Sequence, residues 1–166
     1  MTRSIEITAY ENGGAARYAS AFHAGLSARE RPFLLWNMPD GKKGHALEQT
    51  WEGAPLVVLA RKNGRIAAAA WTLPASLNSK SAMCHFMILD EARPHAASLG
   101  RAFIGFAANC HRHLLALLPA PFFGARTLAK DLGFQPLAII PSVCWLHAWQ
   151  RSRPGELLQY TEGNSK

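Results

Sequence analysis

The chain has 166 residues, of which 49% are hydrophobic and 17% charged, with a net charge of +7. That balance supports one domain with a proper core and excludes wholesale disorder. No apolar run approaches the roughly eighteen residues needed to span a bilayer, so no membrane partner is expected.

Three cysteines, Cys84, Cys110 and Cys144, are widely spaced and form no CxxC pair. They read as reduced thiols rather than a disulfide framework or a metal site. The start MTRSIEITAY lacks the apolar stretch of a signal peptide, and together these features predict a cytoplasmic location. Positive charge is scattered, with its densest groups at Lys42-Lys43 and around Arg61, Lys62 and Arg65. This suits a solvated surface first and a phosphate-rich small ligand second; nucleic acid is disfavoured, because no basic helix or aromatic-studded stripe is present.

Ser4–Tyr10 alternates apolar and polar residues and reads as a strand, followed by a turn at Asn12-Gly13-Gly14. Ala15–Glu30 places Tyr18, Ala19, Phe22 and Leu26 at helical spacing. Residues 31–54 are broken by Pro32, Pro39, Gly41 and Gly44, with a short helix expected over His45–Trp51. Irregular stretches of this length are often functional, and Trp36, Met38 and Trp51 could line an aromatic pocket there. Pro55–Arg61 and Arg65–Leu73 read as strands joined by Asn63-Gly64, a strong hairpin signal because both central positions of a type I′ turn need positive φ. A turn at 76–80 leads to a third strand, Ser81–Leu89.

Pro94 suits the first turn of a helix reaching about Asn109. Leu114–Leu118 reads as a short buried strand, and Phe122–Leu132 as a helix capped by Gly133. Leu137–Ile140 and Val143–Trp149 read as a terminal hairpin around Pro141-Ser142. The domain is expected to occupy 1–150, with 151–166 a polar, fraying tail. A strand–helix–strand unit over 81–118 demands parallel neighbours. The helix leaving its first strand presents N–H groups and a dipole suited to an anion.

Two segments carry a family resemblance. His95-Ala96-Ala97-Ser98-Leu99-Gly100, continued by Arg101-Ala102-Phe103, resembles the pyrophosphate-binding Arg/Gln-x-x-Gly-x-Gly/Ala motif of the GNAT superfamily of N-acetyltransferases. Ala125–Phe134, ending Leu132-Gly133-Phe134, resembles that family's Ala-x-x-x-Tyr-x-x-x-Gly-Phe segment. The resemblance implies an α/β (α+β) fold, with a central mixed, mostly antiparallel twisted sheet of about seven strands flanked by helices. A cofactor cleft is then expected between the fourth and fifth strands. It further implies acetyl-coenzyme A as cosubstrate and transfer of its acetyl group to the amine of a small molecule or protein. Cofactor contacts would come from Ile88, Leu89, Asp90, His95, Ala97, Ser98, Leu99, Gly100 and Arg101.

The chain departs from the family at three places. Ser98 replaces the first glycine, Phe122 stands where an asparagine contacts coenzyme A, and Ala129 stands where a tyrosine protonates the departing thiolate. Ordinary packing roles also suit Gly100, as a close-approach residue, and Phe134, as a core side chain beyond a helix cap. Candidate bases are His85, pointing opposite to Cys84 and Phe86 by strand alternation, and Asp90 or Glu91 at the strand's end. Each has a plain structural alternative, as a satisfied strand histidine or as dipole-favoured carboxylates. Cys84 has no activating histidine at an established spacing. His111 and His113 read as a surface loop rather than a metal site. The alternative function is a GNAT-like binding or assembly module without catalysis.

Overall fold

The computed structural model describes residues 4–75 and 80–161. Seven strands form one sheet: β1 (Glu6–Glu11), β2 (Leu56–Lys62), β3 (Arg65–Pro74), β4 (Ser81–Ile88), β5 (His113–Pro119), β6 (Gln135–Leu146) and β7 (Arg151–Thr161). Their spatial order is β1-β2-β3-β4-β5-β7-β6. Every neighbouring pair is antiparallel except β4 and β5, which are parallel. The predicted pairings of the second, third, fourth and fifth strands are therefore present. The turn expected at 76–80 lies mostly outside the described residues.

Asn63 and Gly64 adopt φ 55° and 77°, the conformation the β2–β3 hairpin requires. Ala67–Ala70 would favour helix in isolation, but the hairpin holds it in β3, where tertiary pairing overrides propensity. These small side chains also let a helix approach, since Leu99 packs among Ala60, Ala67, Ala68 and Ala92.

Helices α1 (Ala19–Gly25) and α2 (Asp40–Gly53) cover one face. The first is shorter than its periodicity suggests, because residues 16–18 form a 3-10 turn and Leu26 is extended. The second is longer than the expected 45–51. Pro39 stands at its N-cap, and Asp40 in the first turn complements the dipole. Gly44 is no breaker: a Cβ there would sit 3.2 Å from the His23 ring, so glycine permits the close α1–α2 crossing. On the opposite face lie α3 (Ala96–Cys110) and α4 (Phe123–Asp131). At the end of α4, Gly133 has φ 95°, and the N–H groups of Gly133 and Phe134 close back onto Lys130 and Ala129, a glycine C-cap.

The C-terminal region corrects the sequence reading. Residues 137–140 and 143–146 belong to one strand, β6, with an irregularity between Ile140 and Cys144, and His147–Trp149 forms a 3-10 turn rather than strand. Pro141 is tolerated because β6 is the sheet edge, where its missing N–H breaks no ladder. The turn comes later, at 147–150, with Gln150 at φ 51°. Residues 151–161 are not a tail; they form β7, inserted between β5 and β6. Their polar sequence misleads because Glu156 is buried against α4 and Gly155 makes room for Cys144.

Candidate active site

The ladder between β4 and β5 is brief. It runs from Ser81↔His113 to Met83↔Leu115 and then stops. Beyond it, Cys84–Ile88 of β4 and Ala116–Pro119 of β5 no longer pair with one another, while each keeps its outer neighbour. A wedge therefore opens toward the C-terminal ends of both strands. The N–H of Leu89 donates to Ala67 O at 2.9 Å, on the β3 side. Backbone groups alternate sides along a strand, so those of Phe86 and Ile88 point into the wedge. Ile88 was an expected contact; Phe86 was not, because only the register reveals it.

Side chains divide between the two faces. Cys84 and Phe86 lie on the α3 side, where Phe86 stacks on Phe103 at 6.0 Å. His85 lies on the α1–α2 side, its ring parallel to Trp71 at 5.3 Å and 8°. Burial pushes the His85 pKa down to about 4, so the ring is neutral and only weakly basic. Burial also pushes the Cys84 thiol up to about 12, which removes it as a thiolate nucleophile near neutral pH.

The junction after β4 differs from a bare helix start. Asp90–His95 forms a 3-10 turn that runs directly into α3, so helical structure begins at Asp90 rather than beside His95. The N–H of Ala96 is already bonded to Arg93 O. That of Asp90 donates to Glu30 Oε1 at 2.8 Å. Glu30 also accepts from Ser27 N at 2.8 Å and Ser27 Oγ at 2.7 Å, and it is only 6% exposed. Burial pushes its carboxyl upward, but the bonds from Ser27 and Asp90 outweigh this and hold it below the ordinary carboxylate range. Sequence reasoning has no signal for this residue: a single glutamate in a helix-like stretch carries no pattern. The Asp90 side chain is exposed and ion-paired with Arg93 at 2.8 Å.

Among the remaining expected contacts, His95, Ala97, Ser98 and Arg101 are exposed at the start of α3, and Ser98 Oγ donates to His95 O at 2.8 Å. Leu99 and Gly100 face inward. Leu99 is a core residue, and a Cβ on Gly100 would overlap the Leu132 side chain, so this glycine lets α3 lie close to the end of α4. Ala129 is buried in the same core, with no proton to offer. Tyr160 pairs with Leu114 at the closed end of the wedge, and Tyr10 and Tyr18 pack together beside Arg61 near β1. Glu156 is held by Arg126 at 2.7 Å and Lys130 at 3.3 Å, which fixes α4 to β7.

A shallow aromatic hollow lies among the loops. The loop after Glu30 contributes Pro32, Phe33 and Trp36; Phe122, just after β5, Leu146 at the end of β6, and Ala148 and Trp149 from the β6–β7 turn complete it. Phe33 meets Phe122 edge-to-face at 5.1 Å, and His147 N–H donates to Trp36 O at 2.9 Å. Trp36 is thus placed as expected, but Trp51 is fully buried between Phe22 and Trp71 and is a core residue. Met38 does not line this hollow. His111 is not in a surface loop: it is buried, 3.3 Å from Thr72 Oγ1. His113 lies on β5, 3.3 Å from Thr161 Oγ1. Among the described residues no cluster of His, Cys, Asp and Glu could hold a metal ion. No helix there is long and apolar enough to cross a membrane.

This sheet order, with a parallel pair that opens toward a helix start, is a fold shared with solved acetyltransferases, one of them of the GNAT family. The N-acetyltransferase of Staphylococcus aureus Mu50 superimposes with a TM-score of 0.71 over 95% of this chain and 97% of its own, at 15% identity. The GNAT-family acetyltransferase of Streptococcus pneumoniae gives 0.67 over 95% and 99%, also at 15% identity. The microcin C7 self-immunity acetyltransferase, solved with acetyl-CoA and AMP, gives 0.70 over 94% and 92%, at 13% identity. No protein-family model matches the sequence, and no curated protein matches it.

Proposed function

We propose that this chain is an N-acetyltransferase that takes an acetyl group from acetyl-coenzyme A and passes it to an amine. The observation that carries this reading is the β4–β5 wedge, which leaves the backbone groups of Phe86 and Ile88 without a strand partner on that side. An amide-bearing arm such as pantetheine fits a strip of this kind, because it can continue the ladder that β5 abandons. Exposed His95 and Arg101 at the start of α3 suit the phosphate end. Bound there, acetyl-coenzyme A would supply an activated thioester carbonyl. The protein would supply position, hydrogen bonds and exclusion of water. Neutral His85, on the α1–α2 face against Trp71, can accept a proton only weakly. With Ala129 in the tyrosine position, the leaving sulfur must draw its proton from solvent or from the amine.

A second reading, a GNAT-like module without catalysis, is favoured by one specific contact. Glu30 engages the Asp90 N–H, placing a protein carboxylate at the helix start where a cofactor anion would otherwise gain. Calorimetry with acetyl-coenzyme A separates the two readings. Ile88→Pro is the control, since it deletes an N–H that points away from β3 and so breaks no sheet bond. Saturable binding that is weakened in this variant, with its thermal transition retained, supports the transferase. Absence of binding by the unaltered chain supports the module.

A further inference from the structure

We infer that residues 26–36 form an autoinhibitory strap: the Glu30 carboxylate occupies the last donor on the open side of β4, and it must withdraw before acetyl-coenzyme A can bind along that strand. The inference rests on the transferase reading and adds a control on its cofactor site. Direction is the first ground. Leu89 donates its N–H to Ala67 O on the β3 side and is extended, with φ −74° and ψ 156°. The next N–H, that of Asp90, therefore points away from β3, as those of Phe86 and Ile88 do. In this structure the Asp90 donor is already taken, by Glu30 Oε1 at 2.8 Å. An amide-bearing arm that continued the ladder past Ile88 would meet a carboxylate, which only accepts hydrogen bonds. Phosphates following that arm would meet a like charge.

The course of the strap is the second ground. Its contacts follow the strand ends in order. Glu30 bonds to the residue at the end of β4, Phe33 packs on Phe122 just after β5, and Trp36 O accepts from His147 N–H just after β6. The strap therefore bridges the ends of the two strands that frame the wedge. Its anchors are unequal. Glu30 is buried and accepts from Ser27 N, Ser27 Oγ and Asp90 N, all charge-assisted bonds. Beyond it lie a ring pair in which Phe33 is 43% exposed and a neutral backbone bond. Leu35 between them takes φ 43°, a left-handed conformation that a branched side chain adopts at a cost, so the shut strap carries strain that a loosened one can relax. The base of the strap stays attached when Glu30 lets go, because buried Lys43 donates to Arg31 O at 2.6 Å and Leu34 is a core residue. Glu30 is thus a latch: one side chain decides whether the Asp90 donor belongs to the protein or to a ligand.

The test uses the full chain, Glu30→Gln and Ser27→Ala, each with acetyl-coenzyme A. Amide hydrogen exchange over 26–36 and 81–90 is followed with and without saturating ligand, and affinity is measured by calorimetry. In the native chain, exchange within 26–36 should rise on binding, because the Ser27 N–H loses its fixed acceptor, while exchange within 81–90 falls. A Glu30 with only a structural role would leave 26–36 unchanged or better protected. Glu30→Gln should bind at least about fivefold tighter than the native chain, the factor for replacing a charged by a neutral acceptor at the Asp90 bond. Ser27→Ala keeps the carboxylate but removes the Oγ–H that orients it. It should tighten binding as well, and it decides the matter if Glu30→Gln folds poorly. Binding by the native chain with no rise in exchange over 26–36, or variants that bind no tighter than it does, overturns the strap while the transferase reading stands. No binding by the native chain or by either variant refutes the transferase reading itself, and the role of the strap with it.

Discussion

Replacing Glu30 by glutamine should destabilise the domain markedly and only above acidic pH. The carboxylate accepts three hydrogen bonds, from Ser27 N, Ser27 Oγ and Asp90 N, at 2.7–2.8 Å. A hydrogen bond to a charged acceptor contributes about 1 kcal/mol more than one to a neutral acceptor, so three of them give a loss of roughly 3 kcal/mol. The glutamine NH2 also faces donors, which deepens the loss. For a domain of this size, each kcal/mol lowers Tm by roughly 2–4 °C, so a fall of about 6–12 °C is expected at neutral pH. The sign of the pH dependence follows from the depressed carboxyl pKa. Its stabilisation is complete above the unfolded value of about 4.3 and disappears as pH falls through the lower folded value. The gap in Tm between the native chain and Glu30→Gln should therefore close in acid. Thermal unfolding followed by circular dichroism across that pH range measures it. A neutral-pH shift under about 2 °C, or a gap that persists in acid, would show that this carboxylate does not tie the loop to β4.

His85 has its pKa pushed down to about 4 by burial, so stability should be full above the unfolded value of about 6.5 and fall as pH drops from there toward 4. Denaturant titration of His85→Phe should lack that slope; an unchanged slope would assign it to another group. Gly100→Ala places a Cβ against Leu132 and should cost about 1–3 kcal/mol in urea denaturation, with a wild-type midpoint counting against the close α3–α4 approach. On the transferase proposal, Tyr10→Phe, Tyr18→Phe and Tyr160→Phe should each leave acetyl transfer within about threefold of the native rate, because Tyr160 sits at the closed end of the wedge and Tyr10 and Tyr18 pack together near β1; a loss of a hundredfold or more in a folded variant would identify a proton donor.

Local pattern alone determined much of the fold. The Asn63-Gly64 turn, the alternation around His85 and the Gly133 cap each depend on backbone preferences of a few adjacent residues, so they were legible one segment at a time. So was the parallel β4–β5 pair, because a helical crossover of that length leaves no other choice. What adjacent residues do not encode, only the packed chain decided. Gly44 and Gly100 look alike as breakers or motif glycines, but their roles are set by His23 and Leu132, distant in sequence. Residues 151–161 look like a tail until β5 and β6 offer ladders on both sides and Arg126 and Lys130 neutralise Glu156. The site divides in the same way. The region after β4 was visible as a strand feeding a helix, whereas the Glu30 carboxylate and the aromatic hollow draw on separate loops. A contact between loops has no period in the sequence; its energy exists only once folding has brought the partners together.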